Sequence, residues 1–276
     1  MRLVTIRTQA GTCAARVDGE RAVELPFADV GALIGSGEDW PRRAAASGGR
    51  THVLGEVELA PVVIRPRKII CLGLNYKTHI TEMGRELPAY PTLFAKFDRS
   101  LIGARDPIRL PRAAEQVDWE VELAFVIGRS VRHVGAAEAE VAIAGYTILN
   151  DISARDFQWR TPQWLQGKTF EGTTPVGPAL VTPEEVGGAR DLRVRCEVDG
   201  VLMQDARTSD FLFKPADLVA YVSRIITLDP GDLISTGTPG GVGAARHPKV
   251  FLEAGQVVRT SIEGLGELVN ECVAEA

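Results

Sequence analysis

The stretch VDWEVELAFVIG, Val117 to Gly128, decides how the chain is read. Its apolar run has strand length, and successive side chains of a strand point to opposite faces. Glu120 and Glu122 therefore share one face, while Val121 and Leu123 turn to the other and pack a core. On a solvated face the two carboxylates need no explanation. On an enclosed face they repel and resist ionisation, and a divalent cation is the simplest compensation. An all-oxygen donor set favours Mg²⁺, Mn²⁺ or Ca²⁺ over Zn²⁺. The question is then whether a third oxygen ligand exists. The strand-like YTILND ends at Asp151, where rigid backbone suits a ligand, yet Asp151 serves equally as the N-cap of a helix over ISARDFQ. Spacing alone does not separate these two roles.

Around this stretch the chain has ordinary globular proportions. Its 276 residues are enough for one large domain or a main domain with a small appendage, and 45% hydrophobic with 24% charged residues argues against disorder and fibrous repeats. A net charge of -5 with interspersed signs offers no basic stripe for nucleic acid and no polybasic membrane patch. Small-molecule chemistry is favoured. Cys13, Cys71, Cys196 and Cys272 are widely spaced with no CxxC pair, which suggests neither a zinc knuckle nor a disulfide framework. MRLVTIRTQAG lacks the apolar core of a signal peptide, and no apolar run approaches the ~18 residues that span a bilayer. The expectation is a cytoplasmic protein.

Along the chain, residues 1–65 form a small β-rich N-terminal module, with a hairpin signal at Asp18-Gly19 and a helix plus loop between Ala32 and Arg50. The prolines and basic residues of IRPRK, Ile64 to Lys68, mark a boundary before a second domain over 66–276. There KIICLGL reads as a buried strand, NYKTHITEMG as a short helix ended by Gly84, and TLFAKF, VELAFVIG, YTILND and PALVT as strands. GAAEAEVAIAG and a segment starting near Pro215 read as helices, CEVDGVLMQ carries a second DG turn, and QVVRTSIE and GELVNECV are the final strands. Strands outnumber helices and do not alternate with them. The expected class is α+β, mostly β, with a largely antiparallel or mixed sheet architecture and peripheral helices.

Seven segments occur in a specific order: LGLNYKTHITEMG, PTLFAKFDRSLIG, VDWEVELAFVIG, LNDISARDFQ, QGKTFEGTTPVGP, MQDARTSDFLF and ISTGTPGGVG. Together they resemble the fumarylacetoacetate hydrolase family over roughly residues 66 to 273. The resemblance implies a mixed β-roll, Mg²⁺ or Mn²⁺ as cofactor, a homodimer, and cleavage or rearrangement of small oxo acids. It implies that Glu120, Glu122 and Asp151 are the metal ligands, that Lys168 of GKTF holds and polarises the substrate, and that Thr238 of GTPGGVG contacts the substrate carboxylate. Gly237 and its neighbouring glycines let backbone approach the ligand.

His79 and Glu82 lie at i, i+3 spacing on one helical face. Chemically the pair suits an imidazole base oriented by a carboxylate. The resemblance implies that it is the hydrolytic dyad of a lid helix. Gln158 is a candidate lining residue; Arg155 either lines the site or pairs with Asp156 or Glu171. Trp159 and Trp164 either shape the pocket or pack near it. Where the family often has Asn-Thr this chain has Arg207-Thr208, and the added cation either favours a more acidic substrate or lies outside the pocket. The lid loop RELPAYP also varies, and its Arg85 is a candidate for a distal carboxylate.

The leading expectation is metal-dependent hydrolysis of a carbon–carbon bond in acylpyruvate-like 1,3-diketo acids, of the fumarylpyruvate or acetylpyruvate type. The alternative is decarboxylation or isomerisation of oxo acids of the oxaloacetate or hydroxymuconate/hydroxyheptadienedioate type, which uses the same electron sink and needs no water nucleophile. A non-enzymatic ligand-binding module with a structural cation is the reading from another class.

Overall fold

The computed structural model describes every residue except 47, 83, 85 and 276, and Glu82 through its backbone alone. The fold is α+β and mostly β, built on two large sheets and, among the described residues, a two-stranded pairing of Val117–Asp118 with Ser153–Ala154. The larger runs, strand beside strand, through Thr51–Val53, Arg21–Glu24, Gly11–Asp18, Arg2–Thr8, Thr174–Val181, Ile143–Asn150, Val121–Ile127, Leu233–Ser235, Ile69–Gly73 and Thr92–Ala95. The smaller runs through Val201–Arg207, Arg193–Val198, Val257–Ile262, Gly266–Ala274 and Ile108–Leu110. Most neighbours are antiparallel, but Leu233–Ser235 runs parallel to Ile69–Gly73 and Gly266–Ala274 parallel to Ile108–Leu110, so both sheets are mixed. The N-terminal strands extend the larger sheet through the pairing of Arg2–Thr8 with Thr174–Val181.

The central strand Val121–Ile127 is buried on both faces. Val121, Leu123, Phe125 and Ile127 join Val194, Cys196, Val258 and Leu268 in the core that includes the second sheet's inner residues. Ala124 and Val126 join Leu3, Leu33, Ile34 and Leu180 in a second core that includes the short helix Val30–Ile34. Alternation thus sorts residues between two apolar layers here, rather than between core and water. Glu120 and Glu122 share the face of Ala124 and Val126.

Turn chemistry follows the sequence with one shift. In the second hairpin Val198 pairs with Val201, so Asp199 and Gly200 form the two-residue loop, both left-handed at φ 50° and 77°, as a type I′ turn requires. In the first, Asp18 pairs with Arg21, and the loop is Gly19-Glu20 rather than Asp18-Gly19. The helix Pro215–Ile225 begins with proline in its first turn and buries Leu218, Val219 and Val222. The turn after it is held by Lys68, whose ammonium meets Asp229 at 2.9 Å and the buried Asp232 at 2.8 Å. This clamp aligns Leu233–Ser235 beside Ile69–Gly73 and directs the chain towards Ser235 and Gly237.

Asn150 ties the sheets together. It is fully buried, its carbonyl oxygen accepts from the Glu120 amide at 2.9 Å, and its amide donates to the Thr260 hydroxyl at 2.8 Å. Asn150→Ala leaves both partners without that bond, at about 1–3 kcal/mol for each buried group left unpaired. Denaturant unfolding is expected to show the loss; unchanged stability would remove Asn150 as a cross-sheet tie.

Candidate active site

Strand register assembles the acidic cluster. Val121 faces Asn150 and Glu122 faces Leu149 in the antiparallel pair, and one step further the Asp151 amide donates to the Glu120 carbonyl at 2.8 Å. Directly opposed residues share a face, so Glu120, Glu122 and Asp151 converge. Oxygens from the three carboxylates lie within 4.8 Å of one another. The solvated reading of the pair is excluded, since Glu120 is 6% and Glu122 1% exposed. Asp151 does not cap a helix either: the short helix Arg155–Gln158 has Ala154 at its N-cap.

Their environment is arranged against mutual repulsion. Lys168, the last residue of the helix Leu165–Lys168, donates to Glu120 Oε2 at 2.7 Å and Asp151 Oδ2 at 2.8 Å. Lys96 donates to Asp151 Oδ1 at 2.5 Å. Arg155 reaches Glu120 Oε1 at 2.6 Å, Asp118 Oδ2 at 2.8 Å and Gln158 Oε1 at 2.8 Å. Glu122 accepts from the Ser235 hydroxyl and, at 2.9 Å, from the Gly237 amide. Burial opposes the charges of Lys168 and Asp151, but their attraction prevails: Asp151 and Glu120 hold the Lys168 ammonium above its ordinary value, and Lys168 and Lys96 hold Asp151 below its own. Glu122 goes the other way. Burial first, then Asp151 and Glu120, push it well above the carboxylate range. Three converging buried carboxylates, one of them short of positive charge, form a donor set suited to a hard divalent cation.

Glu120 and Glu122 of the cluster line a cavity of about 230 Å³, whose walls include Leu72, Phe94, Trp164 and Val242; Asp151 is not among its lining residues. His79, on the helix Lys77–Glu82, lines it together with Lys168, Gln158 and Thr238. That helix is anchored at its start, where the Thr78 amide donates to Asp210 at 3.1 Å and Asn75 binds the Phe213 and Thr236 backbone. Glu82 ends the helix, but its side chain lies outside the described part, as does the whole of Arg85. Thr238 donates to the Val121 carbonyl at 2.9 Å. Gly237, left-handed at φ 88°, spends its amide on Glu122 and is not among the lining residues. Both Trp159 and Trp164 line the cavity. Arg207 does not: its guanidinium binds Asp191 at 2.6 Å, so the added cation lies outside the pocket.

Two charged groups, Asp118 and Lys96, were passed over in the sequence, and the partners of a third differ from those expected. Arg155 does line the cavity, but it pairs with Asp118 and Glu120, neither with Asp156 nor with Glu171. Glu171 is taken by Arg99. Asp118 sits two residues before Glu120 in the same alternation, a visible DxExE pattern, and it also accepts the Gly243 and Ala244 amides at 2.7 and 3.0 Å. Lys96 was visible only as a cation following the apolar TLFA.

A mostly β, mixed-sheet fold with a buried three-carboxylate centre beneath a small cavity defines the class of protein. The sequence pattern of the fumarylacetoacetate (FAA) hydrolase C-terminal family matches residues 68–273. The mitochondrial oxaloacetate tautomerase Fahd2a of Rattus norvegicus is 46% identical over 216 residues, covering 78% of this chain and 69% of that protein. The crystal structure of 5-carboxymethyl-2-hydroxymuconate delta-isomerase from Mycobacterium smegmatis aligns over the full length of both chains with 36% identity and a TM-score of 0.83. The solved structure of fumarylacetoacetate hydrolase from Exiguobacterium antarcticum does so with 31% identity and a TM-score of 0.86. The chain belongs to the fumarylacetoacetate hydrolase family and is an enzyme, which sets aside the non-enzymatic reading. Among the described residues, no helix is long and apolar enough to cross a membrane.

Gly167 generates a prediction. A Cβ there would fall 2.5 Å from the Ala154 carbonyl oxygen and 2.5 Å from the Gln158 amide nitrogen. Gly167→Ala pushes the lysine-bearing helix off its support, at about 1–3 kcal/mol of overpacking strain. Denaturant unfolding should register the loss and activity should fall with the displacement of Lys168; a variant with unchanged stability and activity would contradict the packing argument.

Proposed function

We propose that the enzyme interconverts tautomers or double-bond isomers of a small dicarboxylic oxo acid of the oxaloacetate type. The observation that carries this reading is one small cavity lined by His79, Lys168, Glu120 and Glu122. At about 230 Å³ it lies below the ~300–1,000 Å³ typical of drug-sized ligands and suits a compact acid. The tautomerase and isomerase names of similar proteins support this alternative better than the hydrolytic expectation. We further infer that the cation is Mg²⁺ or Mn²⁺, from the oxygen donor set together with the family resemblance, and that the protein works as a homodimer, from the same resemblance.

Glu120, Glu122 and Asp151 would hold the cation, which would supply Lewis-acid polarisation to the bound oxo acid. Lys168 stabilises the charge that gathers on the 2-oxo oxygen as the adjacent carbon loses its proton. His79 accepts that proton and returns it, to carbon or to oxygen, and Glu82 orients the imidazole. Gln158, fixed through its carbonyl oxygen by Arg155, offers its amide group to the substrate, and Thr238 forms the wall near the carboxylate. Apolar walls from Leu72, Phe94 and Trp164 keep bulk water from the proton in transit.

Hydrolysis of acylpyruvates remains the second reading, favoured by the position of His79 at the cavity, where the same imidazole serves to activate water. A paired assay separates the two. With Mg²⁺, accelerated enol–keto interconversion of oxaloacetate without loss of acetylpyruvate is expected; acetylpyruvate cleavage with no effect on oxaloacetate would reverse the assignment. His79→Ala is expected to lower the interconversion rate by about 10²–10⁴ while retaining cation binding. A cation at a hundred times its Kd should stabilise the wild type by about 2.7 kcal/mol and Glu122→Gln by much less. Equal thermal shifts for the two proteins would show that the ion binds elsewhere.

A further inference from the structure

We infer that Lys96 is a positioning residue that fixes the charge of the acidic centre, weakening its hold on the cation while strengthening its hold on the oxo-acid anion. The inference rests on the proposed reading of Glu120, Glu122 and Asp151 as cation ligands.

Lys96 follows Thr92–Ala95, an edge strand of the larger sheet. Its side chain is fully enclosed, and its ammonium meets Asp151 Oδ1 at 2.5 Å and the Ile152 carbonyl at 3.4 Å. It is not among the residues lining the cavity, so it touches no substrate there. Lys168 holds the other oxygen of the same carboxylate and does line the cavity. The two ammonium groups therefore divide Asp151: one oxygen is bound by Lys96 and the other by Lys168.

Enclosing a second ammonium carries a desolvation cost that a neutral donor, such as an amide, would avoid while still satisfying Asp151 Oδ1. What distinguishes lysine is its charge. Asp118, Glu120, Glu122 and Asp151 face Lys96, Arg155 and Lys168, and all seven side chains are buried. With a divalent cation and every carboxylate ionised, the centre carries one net positive charge. Without the Lys96 charge it would be neutral, a stronger attractor of cations and a weaker one of anions. A reaction that gathers negative charge on the substrate's oxygen gains from the positive setting.

The test measures two affinities that must move in opposite directions. Lys96→Gln keeps an N–H donor for Asp151 Oδ1 and removes the charge; Lys96→Met is the second variant if the first does not fold. Mn²⁺ is titrated into each protein by calorimetry, and oxalate is then titrated into the Mn²⁺-saturated protein. Loss of the charge is expected to tighten Mn²⁺ about tenfold and weaken oxalate about tenfold. If both affinities weaken, Lys96 merely holds Asp151 in place, and the inference is overturned; unchanged affinities overturn it equally. Failure of the wild type to take up Mn²⁺ would instead sink the cation reading beneath it.

Discussion

Three carboxylates confined to one buried face repel one another, and the surrounding structure is arranged against that repulsion. The antiparallel register that sets Asp151 beside Glu120 creates the problem. Lys96, Lys168 and Arg155 answer it only in part, because their ion pairs fall on Asp151 and Glu120. Glu122 has a hydroxyl and a backbone amide, neither of them charged. The remaining demand for positive charge is concentrated at the cavity floor, where a cation and then an anionic substrate can enter. The helices carrying Arg155 and Lys168, the Lys68 clamp and the Asn150 tie serve this geometry by holding backbone in place around it.

Much of the fold was legible in the sequence because local rules governed it. The alternation of VELAFVI, the DG turns and the proline at the start of Pro215–Ile225 each specify an element through backbone geometry alone. The one-residue shift at the first hairpin reflects a pairing fixed by strand register rather than by the dipeptide. Alternation also placed Glu120 and Glu122 together, but it could not tell a core from solvent: the face they share continues as the apolar layer of Ala124 and Val126.

The partners of charged groups were less legible, because they depend on register between strands far apart in the chain. Arg155 was read as a lining residue, which it is, or as a partner of Asp156 or Glu171, whereas its partners Asp118 and Glu120 reach it beside the short pairing of Val117–Asp118 with Ser153–Ala154. Lys96 and Asp151 are separated by 55 residues. The motif order supplied what spacing could not: Asp151 as a member of the acidic set, and the shared cavity of His79 and Lys168. It did not separate hydrolysis from isomerisation. Both reactions use the same electron sink, and they differ in whether an imidazole at the cavity meets a water or a substrate carbon.

The measurement that bears most directly on the account is a crystal structure with Mn²⁺ and oxalate, using anomalous scattering to locate the ion. A peak among the oxygens of Glu120, Glu122 and Asp151, with oxalate chelating it beside Lys168, is the predicted result. An ion bound elsewhere, or oxalate seated away from those three carboxylates, would contradict it.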